Sequence, residues 1–315
     1  MKVRWFTGLV ITASVLTLLV GACARQAPRK PIAGAPRSEP IITMFVNETG
    51  QKKQIKLEDY VAGVVAAEME PTWPVNALAA QAILARTFTM ENIKSGRVKQ
   101  LRGADVSTSP QEFQAYNPSR INAQVRQAVA RTRGEVAMYR DNYVKAWFNA
   151  CDGGVTASAA EGLGYTKTPT PYLKAGIKDN CLAVTTPENR AWETRIPLEQ
   201  VRSAVMKITG QDPGAVTSVR IAKYGPSGRA QTLQLGSATV SAPALRLALG
   251  SEWIRSTFLT GVKVEGNQLV LKGKGFGHGV GLCQWGAKRL AEQGHSPEDI
   301  VKFYYKGIEI KKLWK

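Results

Sequence analysis

Between Leu57 and Pro74 the chain reads LEDYVAGVVAAEMEPTWP, with Leu57, Tyr60, Val61, Val64 and Val65 recurring at helical spacing. Acidic Glu58 and Asp59 suit the start of a helix, and Pro71 and Pro74 stop it. The next run, VNALAAQAILARTFTMENIK (75–94), predicts a second helix whose alanines let the pair pack closely. Residues 119–134 read as a helix capped near Gly134, followed by strands at 135–139 and 143–149. The pattern then predicts a helix at 198–208, a hairpin around Gly225 and Gly228, and a short helix from Ala242 to Leu249 closed by Gly250. Leu282–Gln293 reads as a helix stopped by Gly294. Ser296-Pro297-Glu298-Asp299 then supplies N-cap, proline at N1 and acid for a last helix to Tyr305. The sum is an α+β protein: a helix-rich region with mixed small sheets, and a lobe at 190–262 packed beside it to make a cleft.

Two places break the ordinary core pattern. Glu68 lies four residues past Val64 and falls on the same apolar stripe, whereas Glu70 falls elsewhere. A core-facing carboxylate is costly unless paired or protonated, and burial raises its pKa toward that of a general acid near neutral pH. An ion pair with Arg86, made for structure alone, is the competing reading. Gln81 and Arg86 on the second helix are both expected to reach a cleft at the helix pair. The second place is GKGFGHGVGLCQWGA (273–287), where Gly273, Gly275, Gly277, Gly279 and Gly281 fall on every second residue. An extended segment of this kind has one bare face, expected where another backbone or a ligand comes very close. The spacing does not fit GxGxxG and no GK[ST] is present, so nucleotide binding is disfavoured.

Composition narrows the setting. Lys2 and Arg4 precede an uncharged run from Trp5 to Ala22, and Val20-Gly21-Ala22-Cys23 places small residues before a cysteine, as a bacterial lipoprotein signal does. Residues 1–22 are therefore expected to be a cleaved signal, with Cys23 lipidated, although the length would also suit a retained span. Residues 23–42 carry Pro28, Pro31, Pro36 and Pro40 among basic residues and read as a semi-extended tether, leaving 43–315 as the folded part. The formal charge of +18 usually signals nucleic acid, but an exported protein rarely meets it. Anionic wall glycans and lipid headgroups are the nearer partners. Outside the cytoplasm Cys151 and Cys181, both in loop-like surroundings, are the natural disulfide, with Cys283 a buried thiol. With only His278 and His295 as histidines, a tetrahedral His/Cys site would need an unusual convergence, so no metal and no cofactor are expected.

Three segments, in order, carry a resemblance: DYVAGVVAAEMEPTWPVNALAAQAILARTFT, then DVSTSPQEFQAYNP with TRGEVAMYRDNYVKAWFNACDGGVT, then GKGFGHGVGLCQWGA. Together they resemble the stage II sporulation protein D family, also called amidase enhancers, whose characterised members are peptidoglycan lytic transglycosylases. The resemblance implies that Glu68 is the catalytic acid and that the cleft binds glycan. It places Arg86, Gln111, Gln114, Tyr116, His278 and Gln284 among substrate-binding residues. Some relatives bind zinc through His and Cys near this middle segment, but Asn149 stands where many have His, which favours the Cys151–Cys181 disulfide. Cys283 replaces a usual serine. The implied reaction needs one carboxyl group: it protonates the glycosidic oxygen, then takes the proton of the muramic C6 hydroxyl, leaving a 1,6-anhydro sugar. A non-catalytic binder that activates a cell-wall amidase is the rival. Either would sit lipid-anchored on the outer side of a membrane, against peptidoglycan.

Overall fold

The computed structural model describes residues 38–315. Helix α1, Leu57–Glu68, ends where Met69 turns extended and returns its N–H to Val65. Helix α2, Val75–Ser95, begins after Pro74 and ends at Gly96, whose φ of 72° is the left-handed conformation a helix stop favours. Ala77, Ala79, Ala80, Ala82 and Ala85 of α2 are fully buried, so small side chains bring neighbouring helices close. α2 runs through the middle of the first core, packed by α1 and by the helices Ala123–Arg131, Gln284–Glu292 and Pro297–Tyr304.

Small sheets edge this bundle. Strand Ile41–Val46 pairs antiparallel with Gln51–Lys56 and parallel with Val106–Ser107. Strand Glu135–Tyr139 pairs with both Asn142–Tyr143 and the C-terminal Glu309–Lys312. Leu282–Cys283 lies parallel to Phe148–Asn149, which brings the glycine-rich motif onto the middle of the chain.

A second core gathers residues between Trp192 and Leu271. One sheet orders Leu259–Glu265, Gln268–Gly273 and Trp192–Pro197, and another orders Ala238–Ser241, Ala230–Leu235 and Val219–Tyr224. The lobe therefore reaches Gly273, past the expected edge at 262, because its last strand pairs with its first. Among the described residues no helix is long and apolar enough to cross a membrane. The signal, the Cys23 anchor and nearly all of the tether lie outside the described residues.

Three expectations change locally. The helix predicted at 119–134 is a 3₁₀ turn, Pro118–Arg120, then Ala123–Arg131, because Asn122 caps the second piece by accepting the Val125 N–H at 2.9 Å. The strand expected over 143–149 survives only as two short pairs at its ends. The glycine alternation is no extended strand beyond Gly273. Gly275, Gly277, Gly279 and Gly281 all have positive φ, between 74° and 115°. A Cβ on Gly281 would lie 2.0 Å from the Trp147 carbonyl oxygen, and one on Gly275 would lie 2.8 Å from that of Cys151. The close partner is the 147–154 backbone, joined to the motif by paired bonds between Cys151 and Phe276 of 2.9 and 2.7 Å.

Candidate active site

Glu68 closes α1, at the end where the helix dipole disfavours negative charge, and the last turn holds no basic residue. Its carboxyl is half-buried, and burial raises its pKa to about 7. Two hydrogen bonds pull the other way: the Ala115 N–H donates to Oε1 at 3.0 Å, and the Gln284 side chain donates as well. Desolvation wins.

The loop holding the Ala115 amide is fixed by a glycine in α1. A Cβ on Gly63 would fall 2.2 Å from Cε2 of Tyr116, so the missing side chain is where that ring lies. Tyr116 stacks on Tyr60 with centroids 5.4 Å apart and planes 10° apart, and Asn117 N–H bonds the Gly63 carbonyl at 3.0 Å. Beside this loop the buried Gln114 donates to Thr89 Oγ1 at 3.1 Å. Its Oε1 has no partner among the described residues. Gln284 Nε2 reaches Gln81 Oε1 on α2 at 3.5 Å, at the limit of a bond, and Gln81 Nε2 is buried without a partner among the described residues. Glu68, Gln81 and Gln284 thus converge from three helices, next to the loop of Gln114 and Tyr116.

The remaining expected site residues go elsewhere. Arg86 is fully buried and does not reach this site: it pairs with Glu58, not Glu68, through Nε at 3.1 Å and a second nitrogen at 2.6 Å. Glu58 also accepts from Gly134 N–H and Trp314 Nε1, so this ion pair fastens the chain's end to α1 and α2. The substrate-binding expectation for Arg86 is corrected accordingly. Gln111 is exposed and accepts from Ser109 Oγ within its own turn. His278 accepts the Val280 N–H through Nδ1 at 3.0 Å, and the Phe148 backbone takes its other bond. Burial, then Arg246 and Arg229, push its pKa down to about 3. A neutral ring bonded on both sides braces the backbone crossing rather than binding substrate.

Cys151 and Cys181 do come together, but with Sγ atoms 3.4 Å apart both are free thiols, well outside the ~2.05 Å of a disulfide bond. Cys283, Asp152 and Asp179 adjoin them, a set of potential metal ligands that the histidine count did not reveal. Sequence reasoning also passed over Trp73 and Trp285. Their rings lie 4.5 Å apart, tilted by 57°, and Trp285 directly follows Gln284. The tryptophan beside each motif was the available signal.

A partly buried carboxyl, raised to a pKa of about 7, thus sits at a helix end between one backbone and one side-chain donor on an α+β scaffold. Comparison with known proteins places it. The family described as Stage II sporulation protein matches residues 46–139, and a domain of unknown function (DUF8618) matches residues 166–281. Stage II sporulation protein D of Bacillus amyloliquefaciens is 31% identical, over 82% of this chain and 75% of its own. An uncharacterized protein of Brachyspira hyodysenteriae is 33% identical over 82% and 67%. The amidase enhancer of Bacillus subtilis is 30% identical over 79% of this chain and 40% of its own. The chain belongs to the stage II sporulation protein D family.

Proposed function

We propose that this protein is a peptidoglycan lytic transglycosylase with Glu68 as its single general acid/base. The observation that carries the reading is the Glu68 carboxyl with its pKa near 7 and no second carboxylate among the groups acting on it. Other candidate carboxylates are committed elsewhere: Glu70 pairs with Arg120, Asp105 accepts the Thr43 N–H and Glu112 pairs with Arg102. Hydrolysis ordinarily uses two carboxyl groups. Here one suffices. The protonated acid gives its proton to the glycosidic oxygen between the muramic sugar and N-acetylglucosamine. The carboxylate then removes the C6 hydroxyl proton as that oxygen attacks C1, and a 1,6-anhydro end forms without water. Gln81, Gln114 and Gln284 offer amide donors and acceptors around this carboxyl, and neither a cofactor nor nucleic acid takes part.

A second reading rests on the relative named an amidase enhancer: a glycan-binding activator of a cell-wall amidase, for which Glu68 need not be acidic. Glu68→Gln separates the two. Loss of acid catalysis predicts cleavage of purified peptidoglycan reduced at least ~10²-fold, with glycan binding kept. Mass spectrometry of wild-type products should find 1,6-anhydro ends carrying no oxygen from labelled water. Labelled reducing ends would mean a hydrolase. Full amidase stimulation by Glu68→Gln, with no cleavage by wild type, would favour the activator.

A further inference from the structure

Strands Ile41–Val46 and Gln51–Lys56 turn one face to the core and the other to solvent. Ile42 and Met44 are buried, so by alternation Ile41, Thr43 and Phe45 face outward, opposite Lys56, Gln54 and Lys52 in the register. Gln54 Nε2 donates to Thr43 Oγ1 at 2.9 Å across this outer face. The short helix Arg97–Arg102 ends against it: the Arg102 guanidinium lies 5.0 Å over the Phe45 ring, and a Cβ on Gly103 would lie 2.7 Å from Lys52 Nζ. Residues 41–56 and 97–104 together hold six Lys or Arg and a single acidic residue, Glu48. Two large apolar side chains stand among these cations, Ile41 at 66% and Leu101 at 60% exposure. We propose that this face docks on a membrane, resting on anionic lipid headgroups.

Charge complementarity supports the choice of partner. Lys52, Lys53, Lys56, Arg97 and Lys99 are exposed and form no ion pair among the described residues, while Arg102 pairs with Glu112. Each basic residue near an anionic lipid surface adds roughly fivefold in affinity. Lysines on an edge strand also guard against strand pairing, and Gln51–Lys56 is the edge of its sheet. That role explains neither the cations of a separate helix nor the exposed Ile41 and Leu101. Apolar side chains set among basic ones suit the boundary between headgroups and acyl chains, whereas an anionic sugar polymer calls for the cations alone.

The start of the described chain agrees with this partner. It begins at Ser38, directly before Ile41, and the expected lipid site is Cys23, a short stretch earlier. A short link to an anchor gives the face a high effective concentration at the membrane, so even a weak contact is populated. Lys56 is also the residue before α1, whose other end carries Glu68 roughly 18 Å along the helix axis. The acid is therefore not part of the contact.

The test is amide hydrogen exchange of the full-length protein reconstituted in two kinds of vesicle, phosphatidylcholine alone and phosphatidylcholine mixed with phosphatidylglycerol. Whatever holds the N-terminal segment is common to both. Amides of 51–56 and 97–103 should be protected on the anionic vesicles only, and high salt should remove the protection. Lys52→Gln, Lys56→Gln and Lys99→Gln combined should lower the ratio of docked to free protein ~10²-fold. The readout needs no glycan cleavage, so it stands apart from the role of Glu68. Should the triple variant fail to fold, wild-type protein on the two vesicles decides alone. Equal protection on both vesicles, or protection that survives the three substitutions, overturns the assignment. So does protection of these segments by soluble anionic wall polymer and not by anionic vesicles.

Discussion

The proton affinity of Glu68 links mechanism to stability. Its folded pKa of about 7 lies above the ordinary value of 4.5, so the folded chain holds this proton more tightly than the unfolded chain. Its contribution to stability is thus complete below about pH 4.5 and is lost as pH rises through about 7. The proposed transglycosylation, which needs the protonated form, should fall over the same upper limb. Glu68→Gln removes the buried charge, so at pH 8 the variant should be more stable than wild type by roughly 1–3 kcal/mol, and the two should converge near pH 4. Urea melts at both pH values check this. Equal stability at pH 8 would mean an ordinary carboxylate and would remove the acid role. The stripe position of Glu68 was readable from spacing to Val64. Its environment was not, because Ala115 and Gln284 are remote in sequence.

Among the elements, α1 does most to build the site, and Gly63 is the position through which it does so. Glycine in a helix interior ordinarily costs about 1 kcal/mol relative to alanine. Here an added Cβ would meet the Tyr116 ring at 2.2 Å, a steric cost of roughly 1–3 kcal/mol that outweighs the propensity gain. Gly63→Ala should therefore lower the melting temperature. Moving Tyr116 also moves the neighbouring Ala115 N–H off Glu68 and removes a bond that lowers its pKa, so the alkaline limb of activity should shift upward. An unchanged pH profile in a destabilised variant would show that Tyr116 does not position the amide. Both long helices follow from sequence pattern, since apolar spacing and proline stops are local signals. The glycine alternation misled because period two suggests a strand, whereas four of these glycines take positive φ, three against residues 147–153 more than a hundred positions away and Gly279 against the Arg229 side chain.

Across the whole molecule, two cores are fastened by buried polar groups. Glu161 accepts from the Ser227 backbone at 3.0 Å and hydroxyl at 2.7 Å, and Arg229 donates to the Val155 carbonyl at 2.9 Å. These bonds hold the second lobe against the 152–161 segment beside the glycine-rich motif. The +18 charge suits a protein working against anionic wall polymer and headgroups, and Cys23 is proposed as the lipid anchor that keeps it there. Cys23→Ser should release the body or leave an unprocessed precursor, read by fractionation and palmitate labelling in cells. Unchanged labelling would remove the anchor.

Sequence alone determined the α+β class, seven of the ten α-helices among the described residues, the family, and the place of Glu68 on an apolar stripe, because periodicity, capping and motif order are encoded in neighbouring residues. Tertiary structure decided the rest. Arg86 faces Glu58 rather than Glu68, since each side chain is committed by packing that no spacing rule records. His278 is held neutral by burial, then by Arg246 and Arg229, while the Val280 and Phe148 backbones fix its ring. Cys151, Cys181 and Cys283, set far apart along the chain, meet only because Leu282–Cys283 pairs with Phe148–Asn149. A cysteine cluster assembled across more than a hundred residues leaves no local signal, so only the fold brings it together.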